Sequence, residues 1–271
     1  MSRDILDAMS SPALLIVQLT ASVGVLLLMA LREGPRSHFK APLAWASLTG
    51  ILEPGLAYTV GLLGLSMTTA GHAAVISSAE PIFIILLGWI FFRNRPTRRL
   101  ACCIALAVFG LALIPGGAEE GAGTGRALGD FLVVIATLFA AGYVVLSARL
   151  AIDFPAATLA AAQQLVGLIL AIVVCVLAIC VGIAPPLWHG IDAGTVLYAA
   201  FSGVVQYAIP FWLYLIGLRL LSAGAAGLYL TLTPVFGVAG AYFWLGEQPQ
   251  PSMLVGAVLI LAAVLAGHTE R

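Results

Sequence analysis

Apolar residues fall into long blocks along the chain, and polar residues collect between them. The blocks run Pro12–Leu31, Pro42–Leu65, Gly71–Phe92, Leu100–Pro115, Gly129–Leu150, Pro155–Gly182, Thr195–Leu218, Ala223–Leu245 and Ser252–Gly267. Most reach the roughly 17–25 residues a helix needs to cross the hydrocarbon core of a bilayer. None shows the period-2 alternation, over about 10-residue segments, of a membrane β-barrel. The pattern predicts an all-α polytopic membrane protein with nine transmembrane helices.

Composition agrees. Of 271 residues, 62% are hydrophobic and 9% charged, where a soluble domain carries about 25% charged residues. Net charge is zero, but the basic residues are unevenly placed. Ten of the 12 lie after the first, third, fifth and seventh blocks or in the C-terminal tail: Arg32, Arg36, Lys40, Arg93, Arg95, Arg98, Arg99, Arg149, Arg219 and Arg271. Only Arg3 and Arg126 fall on the other side. The positive-inside bias therefore predicts a cytoplasmic C-terminus and, with nine spans, an external N-terminus. The four cysteines lie in apolar blocks without metal-ligand spacing and read as packing residues. No GxxxxGK[ST] phosphate loop is present, which counts against ATP-driven pumping. No cofactor, metal or nucleic-acid partner is expected.

A shift of 153 residues aligns the chain with itself without gaps. Gly50 meets Gly203, Gly64-Leu65 meets Gly217-Leu218, and Ala70-Gly71 meets Ala223-Gly224. Pro81 meets Pro234, Phe83 meets Phe236 and Pro96 meets Pro249. Matched spans stand five apart, an odd number, so the two copies are expected in opposite orientations across the membrane. Inverted repeats are a signature of transporters. The expected organisation is a first repeat over residues 1–115 with four helices, a glycine-rich linker over 116–128, and a second repeat over 129–267 with five. The span Gly129–Leu150 has no partner, so the pattern expects one further helix ahead of Pro12.

The stretch "LEPGLAYTVGLLGLSMTTAGHAAVISSAEPIFIILLGWIFF" and its echo "TLTPVFGVAGAYFWLGEQPQPSMLVGAVLI" resemble the drug/metabolite transporter superfamily, specifically its EamA-type permeases. The resemblance covers Pro12 to Gly267. It implies a bundle of two inverted five-helix repeats, ten helices in all, around a central cavity. It also implies export of small metabolites or amino acids. Two departures are expected: Asn94 replaces the turn glutamate found as Glu247 in the second copy, and the family's first helix would have to lie ahead of Pro12.

The candidate pathway residues are polar or aromatic side chains inside the spans. Glu80 precedes Pro81, and its repeat mate Thr233 precedes Pro234; both prolines are expected to kink their helices beside the substrate path. Glu53 lies on a stripe with Gly50, Ala57 and Gly64, and its mate Gln206 lies on a stripe with Gly203, Pro210 and Gly217. A membrane carboxylate without lysine or arginine in its own span is a candidate proton carrier. Tyr58, Tyr143, Tyr207 and Trp212 are candidate aromatic walls. His72, Gln18, Gln163 and Gln164 read as helix-packing groups. A secondary transporter of small molecules, embedded in lipid as a monomer or homodimer of the inner membrane, fits best. An intramembrane enzyme is disfavoured because every aspartate lies at a span end or in a loop; a truncated, non-transporting permease is the third reading.

Overall fold

The computed structural model describes Met9 and residues 11–33, 43–68, 73, 76, 77, 79–93, 96–113, 126–181, 192–240 and 251–267. The linker glycines 116–125, His72 and the Gly246–Pro249 turn lie outside the described residues. Those described are helical, without strands. In hydrocarbon a backbone must satisfy its own polar groups, and a helix does so within one segment.

The elements are α1 (Ser11–Glu33), α2 (Leu43–Ser47), a π-helical segment (Ile51–Leu56), α3 (Ala57–Met67), α4 (Glu80–Phe92) and α5 (Arg98–Ala112). Next come α6 (Arg126–Asp153), α7 (Ala156–Cys180), α8 (Ala193–Gly203) and a second π-helical segment (Val204–Ala208). The last are α9 (Ile209–Leu218), α10 (Ala223–Leu230), α11 (Thr233–Gly240) and α12 (Pro251–Gly267). Among the described residues, four stretches are long and apolar enough to cross a membrane: Pro12–Glu33, Ala127–Asp153, Ala156–Leu177 and Ala193–Leu218. Leu31, Leu197 and Leu265 turn outward with more than 70% of their surface exposed, as hydrocarbon-facing side chains do. The protein is an all-helical, multi-pass membrane protein.

The chain divides into two compact units. The first holds Met1–Thr59 and Leu146–Arg219; the second holds Val60–Val145 and Leu220–Arg271. In the first, α1 packs on α7 and α8, and α2 and the first π segment pack on α7. The second π segment lies against α1. The apolar core here joins Leu15, Leu19 and Val23 of α1 to Leu168 and Ala171 of α7. The polar groups within it are paired. Gln18, Ser22, Ser147, Gln163, Gln164 and Ser202 are fully buried or nearly so, and each takes part in a side-chain hydrogen bond. At one end of this unit, Glu33 accepts from the backbone N–H of Ala157 at 3.1 Å and of Thr158 at 3.2 Å. That carboxylate caps the α7 N-terminus, where unpaired N–H groups favour an anion. Arg219 donates to the carbonyls of Ala151 and Phe154 at the end of α6.

In the second unit α5 packs on α12, and α10 packs on α4, α5 and α12. Leu100, Cys103, Ile104, Leu228 and Ile260 form its core. Gly110 lets α5 approach α12 closely: a Cβ there would stand 2.8 Å from the Gly256 carbonyl oxygen. Such small-residue contacts are how helices associate in lipid.

Candidate functional site

Two of the expected spans leave α-helical geometry midway, and these places locate candidate residues. The Pro42–Leu65 span is interrupted at Glu53, whose backbone is extended (φ −144°, ψ 128°) inside the π-helical stretch. Pro54 follows directly and is buried. The Thr195–Leu218 span passes through π-helical turns at Val204–Ala208 before α9 resumes with Pro210 in its first turn. Under the 153-residue shift, residues 51–55 fall on 204–208. Equivalent positions of the two copies therefore both depart from α-helical geometry, the first by a break at Glu53 and the second by π-helical turns, departures that concentrate at functional sites.

Glu53 sits in the first of these segments and its mate Gln206 in the second; both side chains are partly buried. The Tyr58 hydroxyl donates to the Glu53 carboxylate. Tyr207, beside Gln206, lies within reach of the Glu53 charge. The Tyr58 and Tyr207 rings pack with centroids 5.5 Å apart at 46°, and both lean on the α1–α7 core. The structure thus gathers a carboxylate from the broken first segment with tyrosines from the start of α3 and from the π-helical second segment. Trp212, partly buried on α9, belongs to the same unit.

Glu80, Tyr143 and Thr233 belong to the second unit. Tyr143 is fully buried in α6. Thr233 is exposed. The two prolines differ from expectation: neither kinks a continuous helix. Pro81 occupies the first turn of α4, after the Ala79 N-cap, and Glu80 is the acidic residue of that turn. A proline lacks only an N–H that has no intrahelical partner at this place, and a carboxylate there meets the positive end of the helix dipole. Pro234 is the second residue of α11, after a turn at Thr231-Leu232 separates it from α10. The stripe around Gln206 is also corrected. Gly203 is closely packed, but Pro210 is exposed, and a Cβ at Gly217 would meet nothing within 4 Å. The π-helical turns rotate the residues after Gly203 off the face a straight helix would give them.

Buried glutamines complete the surroundings, and they bond between helices as the helix-packing groups the sequence expects. Gln163 donates to Thr49 at 2.7 Å and Ser147 at 3.1 Å. Gln164 donates to the Tyr207 carbonyl at 3.2 Å and accepts from the Ser22 hydroxyl. Their signal in the sequence is a polar Gln-Gln pair inside an apolar span. Among the described residues no group of three or more His, Cys, Asp or Glu side chains is arranged to hold a metal ion.

A multi-pass helical protein with a carboxylate at a broken intramembrane helix is of the transporter class. The EamA-like transporter family profile matches residues 1–115 and 127–266, and the chain belongs to that family. It is a membrane transporter. A relative from Archaeoglobus fulgidus, named an uncharacterized transporter, is 26% identical over 81% of this chain and 75% of its own. One from Streptantibioticus cattleyicolor, named "Probable terminal-alkyne amino-acid exporter", is 26% identical over 72% of this chain and 63% of its own. A crystal structure 17% identical in sequence superposes over 97% of this chain and 91% of its own with a TM-score of 0.74, a likeness of fold.

Proposed function

We propose that this protein is a secondary transporter that exports small metabolites, amino acids among them, across the cytoplasmic membrane, and is not an enzyme. Its two inverted repeats alternate access to the site. The carrying observation is the Glu53 carboxylate at the break of its helix, hydrogen-bonded by Tyr58 and close to Tyr207. Gln206 and Trp212 are further pathway residues, and Glu80, Thr233 and Tyr143 are proposed for the same role. The export direction and the amino-acid class draw on the exporter from Streptantibioticus cattleyicolor. Placement of the C-terminus in the cytoplasm draws on the ten-to-two bias of basic residues.

The purified protein in proteoliposomes tests this reading. Vesicles preloaded with a mixture of unlabelled amino acids, propargylglycine included, should accumulate at least one labelled member by counterflow. Protein-free vesicles should not. Absence of counterflow for every member, with folded protein in the membrane, would reject the amino-acid class.

A further inference from the structure

The broken first segment and the π-helical second segment are held by one buried module that occurs twice. In the first copy, the Gln163 amide donates to the Thr49 hydroxyl at 2.7 Å, and that hydroxyl donates to the Ala46 carbonyl at 2.9 Å. In the second, the Gln18 amide donates to the Ser202 hydroxyl at 2.8 Å, and that hydroxyl donates to the Ala199 carbonyl at 2.7 Å. Thr49 and Ser202 are mates under the 153-residue shift, as are Ala46 and Ala199. A glycine follows each hydroxyl. A Cβ on Gly50 would stand 1.8 Å from the Gln163 carbonyl oxygen, and one on Gly203 would stand 2.3 Å from the Gln18 carbonyl oxygen. So each glutamine grips the hydroxyl with its side chain and presses its backbone on the next residue. The π-helical segment begins immediately afterwards in both copies.

The module on α7 reaches further. One turn beyond Gln163, Gly167 leaves room for the Pro54 ring: a Cβ there would stand 2.5 Å from the Pro54 Cγ. The next side chain after Gln163, Gln164, turns to the other segment and donates to the Tyr207 carbonyl. Two adjacent residues of one helix thus fix the segment that carries Glu53 and the segment that carries Tyr207. All of these groups lie in the first compact unit.

We propose that Gln163 and Gln164 are positioning residues, which set the place of the Glu53 carboxylate against Tyr58 and Tyr207 by holding the broken first segment and the π-helical second segment from α7. Both modules are formed in the same conformation. The inference rests on reading Glu53 as the pathway carboxylate.

The test needs no transport. Dicyclohexylcarbodiimide modifies carboxyl groups within membranes, and mass spectrometry of the peptide gives the rate at Glu53. Gln163→Leu and Thr49→Val should each change that rate, in either direction, by about fivefold, the shift that one lost neutral hydrogen bond allows. Thr49→Ser keeps the hydroxyl and should restore the wild-type rate. Ser22→Ala, which frees only the Gln164 carbonyl, should change the rate in the same sense as Gln163→Leu. It serves in its place if that variant does not fold. Thr68→Val removes a stronger, charge-assisted bond, the 2.5 Å one to Asp130, in the other unit and should leave the rate unchanged. Wild-type rates in folded Thr49→Val and Ser22→Ala, or an equal change in Thr68→Val, would overturn the proposal. A protein that moves no solute but shows these rate changes would reject the transport reading alone.

Discussion

Asp192 shows how a single side chain sets a helix end. It is the N-cap of α8 and accepts from the Thr195 N–H at 3.2 Å and the Thr195 hydroxyl at 2.5 Å. Those bonds hold its carboxyl below the usual aspartate range. A carboxyl whose folded value is depressed stabilises fully above its ordinary value, about 3.9, and loses that contribution as pH falls through the folded value. Asp192→Ala should therefore speed amide hydrogen exchange in the first turn of α8 at neutral pH, and the difference should vanish in strong acid. A difference that persisted in acid would mean the cap does not work through its charge. At Glu53 the residue scale was only partly legible. The dipeptide Glu-Pro occurs twice, at Glu53-Pro54 and Glu80-Pro81. The sequence suggested a kink at the second, but proline opens a helix there. The interruption lies at the first, where Pro54 has no N–H to give and Gly55 leaves room for the Gly50 carbonyl oxygen, 2.9 Å from where a Cβ would stand.

Among elements, the repeat shift of 153 residues found pairs that the structure treats alike and pairs that it does not. Gly50 and Gly203 both press on a glutamine backbone, whereas Gly64 packs against Gly129 and its mate Gly217 faces open space. Gly50→Ala should destabilise the protein by about 3 kcal/mol, because backbone rather than a flexible side chain blocks the added methyl. Gly217→Ala should be neutral or slightly stabilising, as expected of a helical glycine with room beside it. Thermal unfolding in one detergent compares them; equal midpoints would contradict the packing described. Hydrophobic runs report which residues suit lipid but not whether the backbone stays helical throughout. The run Ala223–Leu245 therefore hid the turn between α10 and α11, and Gly71–Phe92 hid the start of α4 at Glu80. The second π segment carries no proline within Val204–Ala208. Its only sequence signal is correspondence with the first.

For the whole molecule, the helical membrane class was legible because composition and run length leave few alternatives. The division into units was not legible. It follows which helices pack, and each unit draws on residues from both halves of the chain. The proposed orientation makes a direct prediction. In a chain without its native cysteines, Arg98→Cys should resist an impermeant thiol reagent added outside whole cells, and Ala193→Cys should react. The reverse pattern would invert the topology. The central claim is that the carboxylate at the broken helix couples transport to protons, and pH-gradient-driven uptake by the Glu53→Gln variant tests it most directly. Gln206 already occupies the equivalent position, so the amide should be accommodated with little loss of folding. The account predicts that Glu53→Gln abolishes uptake driven by a pH gradient while exchange of substrate at equal pH continues; gradient-driven uptake at the wild-type level would contradict it.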